Sequence, residues 1–365
     1  MSGGKLSPKF LTASVLVSIT YLVRPGAPPV VAASLVSSLQ VAAVAPSQES
    51  ERQREARLVE GAKKEGKLMF WTGGTAKDWQ YVFSKFRQKY MFLTTDYWRA
   101  TDADLYQKIT TEARAGQYNV DVSGADVEYL QQLKNAGLMK KYNWPNTAGW
   151  SPQYKDREGY WIAHHVLCLV PAYNTNLVSA AEAPKSWDDL LDPKWNKAIS
   201  MDKDGGDWVL MLWSAWGKEK TVKYLKQLAR NNLVFGEGAG ARTQMLAAGA
   251  VKIDVRLNLH QILEYQKKNA PLDWVRTDPI LSRPGPLFIA QHAPHPNAAA
   301  LFGDWFSSLE GQQTYYEASG KLVPDPKVKS HLSEALKGLK ISVLPAELTV
   351  RGNEAGAIWR DIFWK

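Results

Sequence analysis

A lone thiol, Cys168, is the only cysteine in 365 residues, which excludes an internal disulfide and any metal site built from several thiolates. Like-charge blocks are missing as well. No run of five or more acids or bases occurs although the formal charge is +9, which argues against a nucleic-acid-binding tail. The apolar run Phe10–Val23 is shorter than the ~20 residues a membrane-spanning helix needs. No Walker A loop, no G-x-G-x-x-G after a strand, no HExxH and no G-x-S-x-G is present. No catalytic residue set, metal site or cofactor is therefore expected, and the chain reads as a non-enzyme.

What is present describes a globular chain. Hydrophobic residues make up 45% and charged residues 22%, enough to bury a sizeable core in about two units. Lys5 and Lys9 precede the Phe10–Val23 run, which Arg24-Pro25 ends, and Ala43-Val44-Ala45 fits a small-residue cleavage pattern. Residues 1–45 are expected to be an export segment, with a retained membrane anchor as the alternative.

From Gln48 onward the pattern alternates. Helices are expected at 49–64, 78–90, 103–115 and 127–136, separated by strands at 67–71, 92–98 and 119–123. Trp79, Val82, Phe83 and Phe86 recur at helical spacing. A long apolar strand is expected at 160–173, followed by a short helix at 187–191 and a strand at 197–201. Helices are expected at 207–216, 219–230, 242–248, 260–268, 298–307 and 310–318, with a strand at 274–276. Pro279, Pro284 and Pro286 read as a linker. Alternating strands and helices without cysteines predict an α/β fold with an open, mostly parallel sheet.

Several phrases in order resemble the ferric/phosphonate-type branch of bacterial periplasmic substrate-binding proteins of ABC importers. They include Lys67–Trp71 with its Gly-rich loop, Asn135–Leu138, Gly159–Ile162, Tyr173–Thr175, Pro184–Trp195, Ala247–Gly249 and Asn297–Ala299 leading to Asp304-Trp305. The most specific is Pro184–Trp195. The resemblance covers about 55–330. It implies a two-lobed type 2 periplasmic-binding-protein fold, each lobe an open, mostly parallel sheet flanked by helices. One lobe is placed at 51–165 plus 284–325, the other at 166–283 plus 326–365, with a ligand cleft between them. It further implies a monomer in the periplasm that hands a small molecule to an inner-membrane ABC permease and binds no nucleic acid.

Strand-end loops nominate the ligand-binding residues. Thr72, Gly73, Gly74 and Thr75 follow the first strand, where glycine admits close backbone approach and threonine supplies hydroxyls. Ser123 and Gly124 end the third strand similarly. Gly205, Gly206 and Asp207 open a helix whose free N–H groups attract anions, with an ordinary N-cap as the competing role for Asp207. Arg242 and Arg256 are guanidinium candidates for a carboxylate or phosphonate, and Asn258 shares a face with Arg256 if that stretch is a strand. Tyr173 and Asn174 end the crossover strand.

The expected ligand is thus a small organic anion: a phosphonate, phosphate ester or carboxylate. Iron-binding relatives present adjacent tyrosines where this chain has Leu259-His260, and often a histidine where it has Thr75. Asp126 alone does not replace them, and Tyr315-Tyr316 falls in a late helix. A ferric-binding protein with substituted ligands stays as an alternative, as does a periplasmic enzyme or sensor on the same fold. Trp71 and Trp208 are expected in the core rather than stacked on a ligand. His164 and His165, adjacent on a strand, are expected to point to opposite faces, and Cys168 to be an inert core thiol.

Overall fold

The computed structural model describes residues 50–124 and 127–364. The expected export segment, and Ala125 and Asp126, lie outside the described residues. Among those described, no helix is long and apolar enough to cross a membrane.

Helix α1 (Glu51–Glu65) starts at a capping box, in which Ser50 and Gln53 satisfy each other's backbone N–H groups, and stops at left-handed Gly66. Strand β1 (Lys67–Thr72) then leads through the glycine loop into α2 (Ala76–Lys89). The predicted stripe of α2 is the buried one, Trp79, Val82, Phe83 and Phe86. Each such side chain contributes roughly 1.5–3 kcal/mol when fully buried. The alternation continues with β2 (Thr94–Arg99), α3 (Asp102–Arg114), β3 (Val122–Gly124) and α4 (Val127–Asn135).

Strand β4 (Ile162–Asn174) crosses the molecule. Beyond it come β5 (Ile199–Asp202), α5 (Gly206–Trp216), α6 (Lys218–Leu228), β6 (Val234–Gly236), α7 (Ala239–Ala247), β7 (Ile253–Asn258), α8 (Leu259–Lys267) and β8 (Leu272–Trp274). Strand β9 (Ile280–Ile289) returns, followed by α9 (Pro296–Ser307) and α10 (Leu309–Ser319). The chain ends with α11 (His331–Ala335), β10 (Ile341–Val343) and α12 (Gly352–Phe363).

The strands form one ten-stranded sheet in the order β2-β1-β3-β9-β4-β7-β5-β6, with β10 on β9 and β8 on β4. Parallel groups at the two ends, β2-β1-β3 and β7-β5-β6, are joined by the antiparallel pair β4–β9. The two parallel groups are thus joined through two long strands.

The segment read as a proline linker is instead strand β9. Its ends pair on both sides, with β10 at Ile280–Ser282 and with β3 at Leu287–Ile289. Arg283–Pro286 pair with β4 alone. A strand with one open edge tolerates prolines, because the N–H groups they lack would face no partner. That open edge is a gap in the sheet.

The C-terminal segment spans both ends. Thr349 Oγ1 donates to Val127 O at the start of α4 (3.3 Å), while Trp359 of α12 donates Nε1–H to Lys203 O (3.0 Å) just before α5.

Candidate functional site

The gap in the sheet opens onto two cavities that share Arg283 as a wall. The smaller, about 170 Å³, is lined by Thr72, Gly73, Gly74 and Gly124 from the strand-end loops. Facing them are His164 and His165 of β4, Arg283–Gly285 of β9, and Lys321. The larger, about 520 Å³, lies along α5 and α12 and takes Gly206, Asp207, Arg256 and Arg360 into its wall.

Local geometry explains why the first loop is open. Thr72 Oγ1 accepts the Gly74 N–H at 2.9 Å, fixing a tight turn, and Arg99 Nε donates to Gly74 O at 2.9 Å. A Cβ at Gly73 would stand 3.0 Å from Asp102 Oδ1, and one at Gly74 would stand 2.5 Å from the Trp79 indole nitrogen. Glycine is required at Gly74 for packing as much as for ligand access. Thr75 occupies the N-cap position of α2, exposed and without a capping side-chain bond.

Charge in the small cavity is mostly basic. Lys321 has no salt-bridge partner among the described residues; burial pushes its ammonium down, while Asp78 nearby pulls it up and Arg283 lowers it further. Burial also holds His164 neutral, down to about 3, with the Lys321 charge adding to the effect. His165 is lowered in the same way, by burial first and then by His164. Desolvation raises the Asp78 carboxyl.

The two histidines do not diverge as expected. A register shift between Ala163 and His165 breaks the β4–β9 pairing, and their ring centroids lie 4.3 Å apart beside one cavity. A bulge re-aims one side chain and so defeats the two-residue alternation of a regular strand. Gly285 makes room: a Cβ there would stand 2.2 Å from the His165 ring.

The remaining expected site residues divide. Ser123 is buried and donates its hydroxyl to Trp71 O (3.1 Å), behind the loop. Gly205 is buried under Trp359, so only Gly206 of that pair reaches the larger cavity. Asp207 forms an ion pair with Arg256 and accepts the Trp208 N–H at 2.8 Å. Arg283 Nε lies 3.9 Å from the same carboxylate. Trp71 and Trp208 are buried, as expected.

Arg242 is brought to neither cavity. It is 2% exposed, donates Nη1 to both Asp254 oxygens at 2.7 Å, and donates Nη2 to Arg256 O at 3.0 Å. Its guanidinium is used to hold β7. Tyr173 bonds Asp273 (3.2 Å), Asn174 donates to Leu246 O (2.8 Å), and Asn258 donates to Gln261 (3.2 Å). None of these three lines either cavity. Sequence reasoning missed Arg283 and Lys321, which stand in a proline-rich stretch and a loop with no motif around them.

Metal chemistry finds little support in the donors. Among the described residues no group of three or more His, Cys, Asp and Glu side chains could hold an ion. Tyr315 is buried, its ring 5.2 Å from Trp79 and its hydroxyl 3.4 Å from His165 Nδ1. Cys168 is buried and its thiol is pushed up to about 12, which makes it inert.

Residues 120–252 match the family profile described as bacterial extracellular solute-binding protein. A curated relative, the Fe(3+)-binding periplasmic protein of Serratia marcescens, is 27% identical over 162 residues. The match covers 44% of this chain, and the chain spans about half (47%) of that relative. Solved solute-binding structures share the fold across nearly their whole length. Iron-bound HitA from Pseudomonas aeruginosa superposes with a TM-score of 0.66 at 20% identity, covering 81% of this chain and 99% of its own. AfuA from Actinobacillus pleuropneumoniae, with exogenous fructose-6-phosphate bound, gives 0.67 at 20% identity, covering 82% and 99%. The solute-binding fold therefore extends well beyond the matched residues.

Proposed function

We propose that this chain is the periplasmic solute-binding component of an ABC importer, and that it captures a small organic anion in the cleft crossed by β4 and β9. The ligand is a phosphonate, phosphate ester or carboxylate, delivered by a monomeric protein to an inner-membrane permease. The lobes that close on it are residues 51–165 plus 284–325 and 166–283 plus 326–365.

The observation that carries this reading is the placement of Lys321 and Arg283 opposite the Thr72–Gly74 loop. Two fixed cations face backbone and hydroxyl groups across a small polar cavity, an arrangement suited to a phosphoryl or carboxyl group. Fructose-6-phosphate, bound by AfuA on the same fold, is a ligand of that chemistry. Hinge motion about the two crossing strands would bring Arg256 and Arg360 toward the ligand's other end.

A ferric reading is the second candidate, favoured by the similarity to an Fe(3+)-binding periplasmic protein. The scarcity of clustered hard donors among the described residues weighs against it. Thermal shift against phosphonates, phosphate esters, carboxylates and Fe(III) distinguishes the two. A ligand at 100 times its Kd stabilises by about 2.7 kcal/mol, which moves the midpoint by several degrees. A shift with one anion class, reduced in Lys321→Met, is the expected result. A shift with Fe(III) alone, with a visible charge-transfer band, would replace the anion reading with the ferric one.

A further inference from the structure

We infer that this pocket takes up a proton together with its anion, through the paired imidazoles of His164 and His165. The inference rests on the anion-binding reading of the same cavity and adds its coupling to pH.

Every element around the pocket contributes to the balance of charge. Strand β4 supplies His164 and His165, β9 supplies Arg283, and the turn after α10 supplies Lys321. Helix α8 supplies His260, whose imidazole is lowered by burial and then by the Lys321 charge, and which itself acts on His165. Helix α10 supplies the Tyr315 hydroxyl at His165 Nδ1. The acids are Asp78 of α2, which interacts with Lys321, and Asp102 of α3, which lines the pocket. Three imidazoles, a lysine and an arginine thus meet the carboxylates of Asp78 and Asp102, with Asp207 3.9 Å from Arg283 Nε on its other side.

The hydrogen bonds fix where a proton would go. Pro286 O can only accept, so His164 Nδ1, 3.2 Å away, carries the ring's proton as donor. An added proton must enter at Nε2. Without ligand it is opposed by burial and by the Lys321 charge, which hold His164 at about 3. An anion in a cavity this small lies against the same rings. An anion within about 4–6 Å favours the imidazolium and raises the ring's titration by roughly one to three pH units. The proton, drawn from solvent, then shares the pocket with the anion. By linkage the converse holds, and lowering the pH tightens anion binding.

Titration calorimetry of the full protein, in two buffers of different ionisation enthalpy at pH 5.5 and 7.5, measures the protons taken up. The probes are inorganic phosphate, fructose-6-phosphate and citrate. These ligands titrate too, so the informative quantity is the difference from His164→Asn and His165→Asn. Asn keeps a donor near the Nδ1 position and cannot be protonated. The expected result is uptake at pH 5.5 that is smaller in at least one variant, with wild-type affinity tightening up to about tenfold per pH unit. Lys321→Met, which binds the anion more weakly and is titrated at correspondingly higher ligand concentration, removes the like charge; the uptake it retains should lie at higher pH than in wild type, and it tests the coupling if the histidine variants do not fold. Binding with no difference between wild type and variants, and no displacement in Lys321→Met, would overturn the coupling and leave the anion site standing. If none of the three probes binds at either pH, the coupling and the reading beneath it both fail.

Discussion

Gly205 lies against the indole of Trp359, so closely that a Cβ on the glycine would stand 2.6 Å from the ring. One turn of α12 away, Gly356 approaches Gly206, whose Cβ would stand 3.4 Å from the Gly356 Cα. A glycine pair that reads as a ligand loop is occupied in part by the chain's own C-terminal helix. Gly205→Ala should therefore cost about 1–3 kcal/mol through overpacking, and should change Trp359 fluorescence. Chemical denaturation checks the first; an unchanged midpoint would mean α12 does not pack there in solution.

Arg242 and Asp254 form a buried pair with no part in either cavity wall. Arg242→Met leaves a buried carboxylate without its countercharge, and a loss of about 3–5 kcal/mol is expected. Adding Asp254→Leu should recover part of it, since the uncompensated charge goes too. Urea denaturation of the single and double variants measures the recovery. An additive double variant would show that the pair is not coupled.

His164 and His260 are each held down at about 3, and His165 is lowered too, chiefly by burial. An unfolded histidine titrates near 6.5, so below that pH the unfolded chain binds protons that the fold refuses. Stability is complete above about pH 6.5 and falls as the pH drops toward 3. Each imidazole contributes a slope of up to ~1.4 kcal/mol per pH unit. Denaturant midpoints measured from pH 7.5 to 5 should decline, and less steeply in His260→Asn. A flat profile would mean these rings are solvated.

The Cys168 thiol, buried and pushed up to about 12, should resist an aromatic disulfide reagent at pH 8 in the folded protein. It should react within the unfolding transition and not before it. Rapid labelling under native conditions would show that the centre of β4 opens locally.

Much of the layout was legible because it depends on short-range chemistry. The stripe of α2, the stop at Gly66 and the long apolar strand at β4 are set by spacing, cap geometry and hydropathy within a few residues. The loop Thr72–Gly74 was visible for the same reason, since glycine and threonine between a strand and a helix have few other uses. Helix α12 was not legible: Gly352 and Gly356 lower its intrinsic propensity, and what stabilises it is the close contact of Gly356 and Trp359 with Gly206 and Gly205.

The sequence by itself determined the alternation of strands and helices and the strand-end loops. Only the tertiary structure decided which cations line the two cavities. Arg242 and Arg256 look alike along the chain, yet Asp254 holds the first inside while the second reaches a cavity wall. Arg283 and Lys321 meet His164 and His165 because β9 crosses beside β4 with one edge unpaired and β4 carries a bulge. Such meetings depend on register between segments more than a hundred residues apart, where a shift of one residue turns every side chain to the opposite face.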